Sequence, residues 1–96
     1  MKIGVMKEIK PSEYRVAAVP SAVAELVRRG HEVFVEHDAG KGSGFSDDDY
    51  REAGATVEAD AAKIWNSVDM VYKVKEIFPE EYQYLRKDMI VFTYIH

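Results

Sequence analysis

The stretch Asp69-Met70-Val71-Tyr72-Lys73-Val74-Lys75-Glu76 decides the fold: a run of strand-forming residues that ends in a cluster of charge. Met70, Val71, Tyr72 and Val74 suit a buried strand, whereas Lys73, Lys75 and Glu76 at its outgoing end are costly to bury without a partner. Charge placed there calls for an ion pair or a ligand. In an open α/β sheet the ligand crevice lies outside the carboxyl ends of the strands, so Lys75 marks where chemistry is to be sought first.

Working outward, Pro79-Glu80-Glu81 puts proline and acid in a first turn, which predicts a helix over 79–86 with Tyr82 and Leu85 inward. The nearly unbroken apolar run from Met89 to Ile95 reads as a strand buried on both faces. Upstream of the central stretch, Asp60 caps a helix whose Ala61, Ile64 and Trp65 form its buried side, and Thr56 to Glu58 is a weak strand. Ser46 with Asp49 forms a capping box for a short helix to about Ala53, closed by Gly54. Glu32 to Glu36 alternates around Val33 and Val35 as another strand. Pro20 opens a helix in which Val23, Leu26 and Val27 share a face, with Arg28 and Arg29 at its end and Gly30 stopping it. Lys2 to Val5 is the first strand, followed by a long polar loop from Met6 to Arg15.

Strands alternating with helices imply right-handed crossovers: an α/β, three-layer, flavodoxin- or Rossmann-like domain with a mainly parallel sheet covered on both sides. Every loop leaving a strand then opens on one edge. That edge gathers Lys7 and Arg15, Glu36 and His37, Lys73 to Glu76, and Tyr94 to His96.

Ninety-six residues, 47% hydrophobic and 31% charged with both signs mixed, describe one soluble globular domain over 1–96. A formal charge of −4 without a basic patch argues against a nucleic-acid partner. The absence of cysteine excludes disulfides and thiolate chemistry. No apolar run approaches the ~18 residues of a membrane span, and no signal-peptide pattern follows Met1, so a cytoplasmic, membrane-free protein is expected.

Arg15 lies between a polar loop and the apolar Val16-Ala17-Ala18-Val19, a setting that would shield it partly from water. A guanidinium there can grip a carboxylate through two parallel hydrogen bonds, or form an ordinary ion pair with Glu8 or Glu13. Lys75 at the ligand edge can bind an anion or exchange a proton; its plainer role is a solvated strand end paired with Glu76. His96 follows the last strand to the same edge, and imidazole suits acid and base work near neutrality, although a terminal histidine is often frayed. His31 and His37 read as surface and loop residues, and no carboxylate and histidine spacing suggests a metal site. The glycines of Gly40-Lys41-Gly42-Ser43-Gly44 follow a strand and precede a helix as in a dinucleotide fingerprint. Phe45 or Asp47 falls where the last glycine belongs, and three aspartates open the next helix, so a structural turn is the better reading.

The residues together resemble the alanine dehydrogenase and nicotinamide nucleotide transhydrogenase family. The likeness runs through Ile3-Gly4-Val5, Lys7-Glu8, Glu13-x-Arg15-Val16-Ala17, the segment Val23 to Val33, Ala39-Gly40-x-Gly42-Ser43-Gly44-Phe45-Ser46-Asp47, Lys73-Val74-Lys75-Glu76 and Phe92-Thr93-Tyr94-Ile95-His96. Lys75 and the Tyr-x-His at 94–96 resemble the alanine dehydrogenase branch. That resemblance implies the reversible NAD-dependent oxidative deamination of L-alanine to pyruvate and ammonium. Arg15 and Lys75 would hold pyruvate or alanine, and His96 would donate and accept the proton, with Lys75 beside it in the chemistry. It further implies a homo-oligomer, a hexamer, and NAD bound by a separate Rossmann domain absent from these residues. The 96 residues are then the N-terminal part of the substrate domain, inactive alone, with apolar surface exposed where further elements would pack. Met6 stands where the family usually has proline, which bears on loop stiffness.

Two other readings differ in class. One is the N-terminal part of the soluble domain of a proton-translocating transhydrogenase, against which Lys75 and His96 speak. The other is a non-catalytic flavodoxin-like binding module such as a receiver domain, but Met6-Lys7 and Val74-Lys75 stand where its acidic residues belong.

Overall fold

A computed structural model describes residues 1–94. The chain alternates strands β1 (Lys2–Val5), β2 (Glu32–Glu36), β3 (Thr56–Glu58), β4 (Met70–Lys73) and β5 (Ile90–Thr93) with helices α1 (Pro20–Arg28), α2 (Asp47–Glu52) and α3 (Ala61–Ser67). A 3-10 turn spans Lys41–Ser43 and a 3-10 helix spans Pro79–Tyr84. The sheet order is β3-β2-β1-β4-β5 and every neighbouring pair is parallel. The order reverses between β1 and β4, and such a switch point opens a crevice at the carboxyl ends of the two strands.

Side-chain parity builds two cores. Val5, Val33 and Val35 pack with Val23 of α1 and Tyr50 of α2 on one face, while Val71 and Phe34 pack with Ile64 and Trp65 of α3 on the other. Gly4 lets α3 approach the sheet, since a Cβ there would lie 2.7 Å from Ile64 Cγ2. The local signals hold: Ser46 and Asp49 form the reciprocal capping box, and Asp60 accepts from the Ala62 N–H at 3.0 Å. Among the described residues, no helix is long and apolar enough to cross a membrane.

Three expectations are corrected. The helix expected over 79–86 is a 3-10 helix that ends at Tyr84, with Tyr82 and Leu85 exposed and Glu81 buried. Arg86 is drawn away to the end of α3, where its guanidinium donates to the carbonyls of Trp65 and Val68 at 2.5 Å each, and the carboxylate of Glu81 turns inward. Tyr84 rather than Tyr82 packs inward, stacking on Trp65 with centroids 5.6 Å apart. The central strand, expected to include Val74, stops at Lys73.

The third correction concerns β5, which lies at the sheet edge rather than buried on both faces; Ile90 and Phe92 are 50% and 51% exposed. The sheet is therefore covered over β1, β2 and β4 and bare at this margin. That bare margin is apolar surface of the kind expected from the sequence.

Candidate functional site

The carboxyl ends of β1 and β4 meet around a carboxylate. Glu8, three residues beyond the end of β1, accepts from the Val74 N–H at 3.0 Å, the Lys75 N–H at 3.2 Å and the Lys73 ammonium at 3.3 Å. Lys73 has no solvent exposure and also lies 3.3 Å from Glu81 Oε2, so one buried ammonium sits between two buried carboxylates. Its partners offset the desolvation that burial alone would impose. The sequence left open whether charge at this strand end would find a ligand or an ion pair; for Lys73 it is an ion pair.

Lys75 leaves this anchor and turns toward the loop after β1. Its Nζ lies 3.8 Å from Glu13 Oε1. The same carboxylate receives Arg15 Nε and Nη2 at 2.9 Å each and the Arg15 backbone N–H at 3.0 Å. Glu13 thus joins two cations drawn from opposite ends of the chain. The hydrogen bonds from Arg15 hold the Glu13 carboxyl down at about 2, well below its ordinary value, against the opposing effect of burial. Of the two roles open to Arg15, the structure displays the ion pair with Glu13. The guanidinium is more open than the apolar run beside it suggested, with the side chain 59% exposed. Lys75 faces Glu13 and not Glu76.

This loop walls a cleft of about 450 Å³ lined by Lys7, Glu13, Tyr14 and Arg15 from one segment and by Asp38, Lys41 and Gly42 from the turn after β2. The glycine turn buttresses the loop. A Cβ on Gly42 would lie 2.9 Å from the Tyr14 carbonyl oxygen, and Ser43 Oγ donates to that oxygen at 2.7 Å. Tyr14 thus packs directly on Gly42, which ties the glycine turn to the loop after β1. A slightly larger hollow of about 490 Å³ lies along α3 beside Glu58, Asp60 and Lys63, away from the strand ends and their cations. Size alone is therefore a poor guide to the site.

His96 lies outside the described residues. The chain that leads to it is tied to the Arg15 segment, since Tyr94 Oη donates to the Ala17 carbonyl at 2.9 Å and pairs with the Tyr72 hydroxyl. His31 lies 3.1 Å from the amino terminus. His37 sits 2.5 Å from Asp47, with Asp38 on its other nitrogen.

The sequence marks Glu8 and Glu13 only as ordinary ion-pair partners for Arg15, Lys73 only as a charge costly to bury and Glu81 only as acid in a first turn; the anchoring role they share is not legible there. A signal for Lys73 existed: it has the same strand parity as the buried Val71. Of the two glutamates offered as partners for Arg15, Glu13 at i,i+2 spacing is the one it pairs with.

The family described as "Alanine dehydrogenase/PNT, N-terminal domain" matches residues 4–96. The chain is 53% identical over 96 residues to the alanine dehydrogenase of Halomonas elongata and 52% identical to that of Staphylococcus haemolyticus. Each match covers 100% of this chain and 26% of the relative. Among solved structures, an L-alanine dehydrogenase superposes with a TM-score of 0.95 at 53% identity, over all of this chain and 26% of that one. A transhydrogenase from Sinorhizobium meliloti gives 0.89 at 32% identity, over 97% of this chain and 27% of that one. The chain spans about a quarter of the length of these relatives. With its parallel sheet and the match from Gly4 onward, it belongs to the alanine dehydrogenase/PNT family as an N-terminal domain.

Proposed function

We propose that the 96 residues form the N-terminal part of the substrate domain of an NAD-dependent L-alanine dehydrogenase, which interconverts L-alanine and pyruvate with ammonium. One observation carries the reading: Arg15 and Lys75, 60 positions apart in the sequence, converge on a single carboxylate, that of Glu13. Cations that already hold one carboxylate at a sheet switch point are suited to holding that of a 2-oxo or 2-amino acid. In this reading Arg15 grips the substrate carboxylate, Lys75 faces the carbonyl and His96 moves the proton. The remaining requirement is an acceptor for hydride, which NAD supplies.

The described residues do not fit a dinucleotide. The Gly40–Gly44 turn lacks the fingerprint, Gly42 is packed on Tyr14, and α2 opens with Asp47, Asp48 and Asp49. NAD is accordingly assigned to polypeptide beyond these residues, in an assembly of several copies in the cytoplasm. The higher identity to alanine dehydrogenases than to the transhydrogenase favours substrate chemistry over transfer between nucleotides.

The test is NADH formation from L-alanine by a full-length enzyme carrying this segment. Lys75→Ala and His96→Ala are expected to lower kcat/KM by about 100-fold or more. The 96 residues alone should show no turnover. Unchanged rates in both variants, or turnover by the short chain, would refute the proposal.

A further inference from the structure

Glu13 has no part in the reaction just proposed, yet it is the group on which both cations converge. A guanidinium carries five N–H donors, and Glu13 engages Nε and one hydrogen of Nη2. Among the described residues the Nη1 hydrogens and the second Nη2 hydrogen meet no other acceptor, and they form the outer edge of the fork. The Glu13 side chain is 7% exposed and that of Arg15 is 59% exposed, so the carboxylate lies on the inner side of the pair and the guanidinium on the outer. A ligand arriving from solvent meets the outer edge, which is the one suited to a second bidentate carboxylate.

We infer that Glu13 is a positioning residue of the substrate site: from beneath, it fixes Arg15 and Lys75 so that their remaining donors face one incoming substrate, the guanidinium its carboxylate and the ammonium its carbonyl. This rests on the reading that Arg15 and Lys75 hold the substrate. Glu13 is itself fixed, because its Oε2 also accepts the backbone N–H of Arg15 at 3.0 Å, a contact that ligand arrival need not disturb. Glu8 secures the other partner by holding the Lys75 N–H at 3.2 Å, so the loop after β1 controls Lys75 at its backbone and at its ammonium. Without Glu13, two long flexible side chains would have to be ordered by the substrate at each binding event, which weakens binding rather than the chemical step.

The experiment measures pyruvate KM and kcat for Glu13→Gln, Glu13→Ala, Arg15→Ala and the double variant Glu13→Gln/Arg15→Ala in the full-length enzyme, with thermal melts to confirm folding. Glu13→Gln is expected to raise the KM about 10-fold while kcat changes about 3-fold or less. If Glu13→Ala does not fold, the glutamine variant carries the test. In the Arg15→Ala background, where there is no guanidinium left to align, Glu13→Gln should add little; a merely structural role would multiply the two effects. A lower KM in Glu13→Gln would mean that Glu13 competes with substrate, and an unchanged KM or multiplied effects would mean that it does not align the pair; each overturns the inference. If Arg15→Ala raises the KM and Glu13→Gln does not, the substrate reading stands and this inference alone fails. If Arg15→Ala leaves the KM unchanged, Arg15 does not hold the substrate and both fall.

Discussion

Glu8 and Lys73, 65 positions apart in the sequence, meet at 3.3 Å with 1% and 0% of their side chains exposed. The contact joins the ends of the two strands that flank the switch point, and Glu81 reaches the same ammonium from the 3-10 helix at 3.3 Å. Removing the shared cation leaves two buried carboxylates facing one another. Lys73→Met is therefore expected to lower the unfolding free energy by about 3–5 kcal/mol, a large fraction of a domain's total. Urea denaturation checks this, and a variant as stable as the parent would show that the triad is not a net support.

The glycine turn yields a second prediction because it packs against the loop that carries Arg15. A Cβ at position 42 would lie 2.9 Å from the Tyr14 carbonyl oxygen and 3.0 Å from Tyr14 Cα, backbone atoms that cannot swing aside. Gly42→Ala should cost about 1–3 kcal/mol and displace Tyr14 and Arg15 together. In a full-length enzyme the same variant should raise the pyruvate KM more than it changes kcat. If stability falls with KM unmoved, the turn supports the fold and not the site.

These results locate what the sequence could and could not convey. Val33 and Val35 against Phe34, the Ser46–Asp49 box and the Asp60 cap are local signals, and the structure contains each of them. The convergence of Arg15 and Lys75 also followed from topology, since parallel strands bring their outgoing loops to one edge. The partners of Lys73 did not follow, because Glu8 and Glu81 are distant in sequence and nothing local distinguishes them from other glutamates. Apolar runs such as 89–95 report burial poorly: strand composition does not encode whether a strand lies at the centre of a sheet or at its margin. The 3-10 helix was illegible for a related reason, as Arg86 leaves it for carbonyls that only the tertiary fold brings near.

The bare face of β5 leads to a third prediction. Ile90 is 50% exposed on an edge strand, an arrangement that invites association through unpaired backbone and apolar side chains. Ile90→Lys should change the stability of the 96-residue chain by about 0.5 kcal/mol or less while reducing hydrophobic dye binding and concentration-dependent association. Fluorescence and light scattering measure both effects. A large loss of stability would mean that Ile90 is packed more tightly than its exposure indicates.

Acid titration separates two carboxylates whose environments act in opposite directions. The guanidinium of Arg15 holds Glu13 down at about 2, so its contribution to stability is complete above the ordinary value of 4.5 and is lost as the pH falls toward 2. Burial pushes the Glu36 carboxyl up, and the Lys7 N–H bonded to it at 2.9 Å and the charges of Lys7 and Lys73 only partly offset that. The sign is then reversed: the proton is held more tightly in the folded state, so the contribution of Glu36 is present below 4.5 and is lost as the pH rises through its folded value. An ionised Glu36 at neutral pH is consequently a destabilising charge. Glu36→Gln keeps the oxygen that accepts from Lys7 and removes that charge, so it should raise the Tm near neutrality, and the gain should disappear below about pH 4 as the parent carboxyl takes up its proton. Thermal melts of the two proteins across that range decide the matter: a gain that persists in acid would assign the effect to packing, and a loss at neutral pH would show that Lys7 and Lys73 make ionised Glu36 a net support.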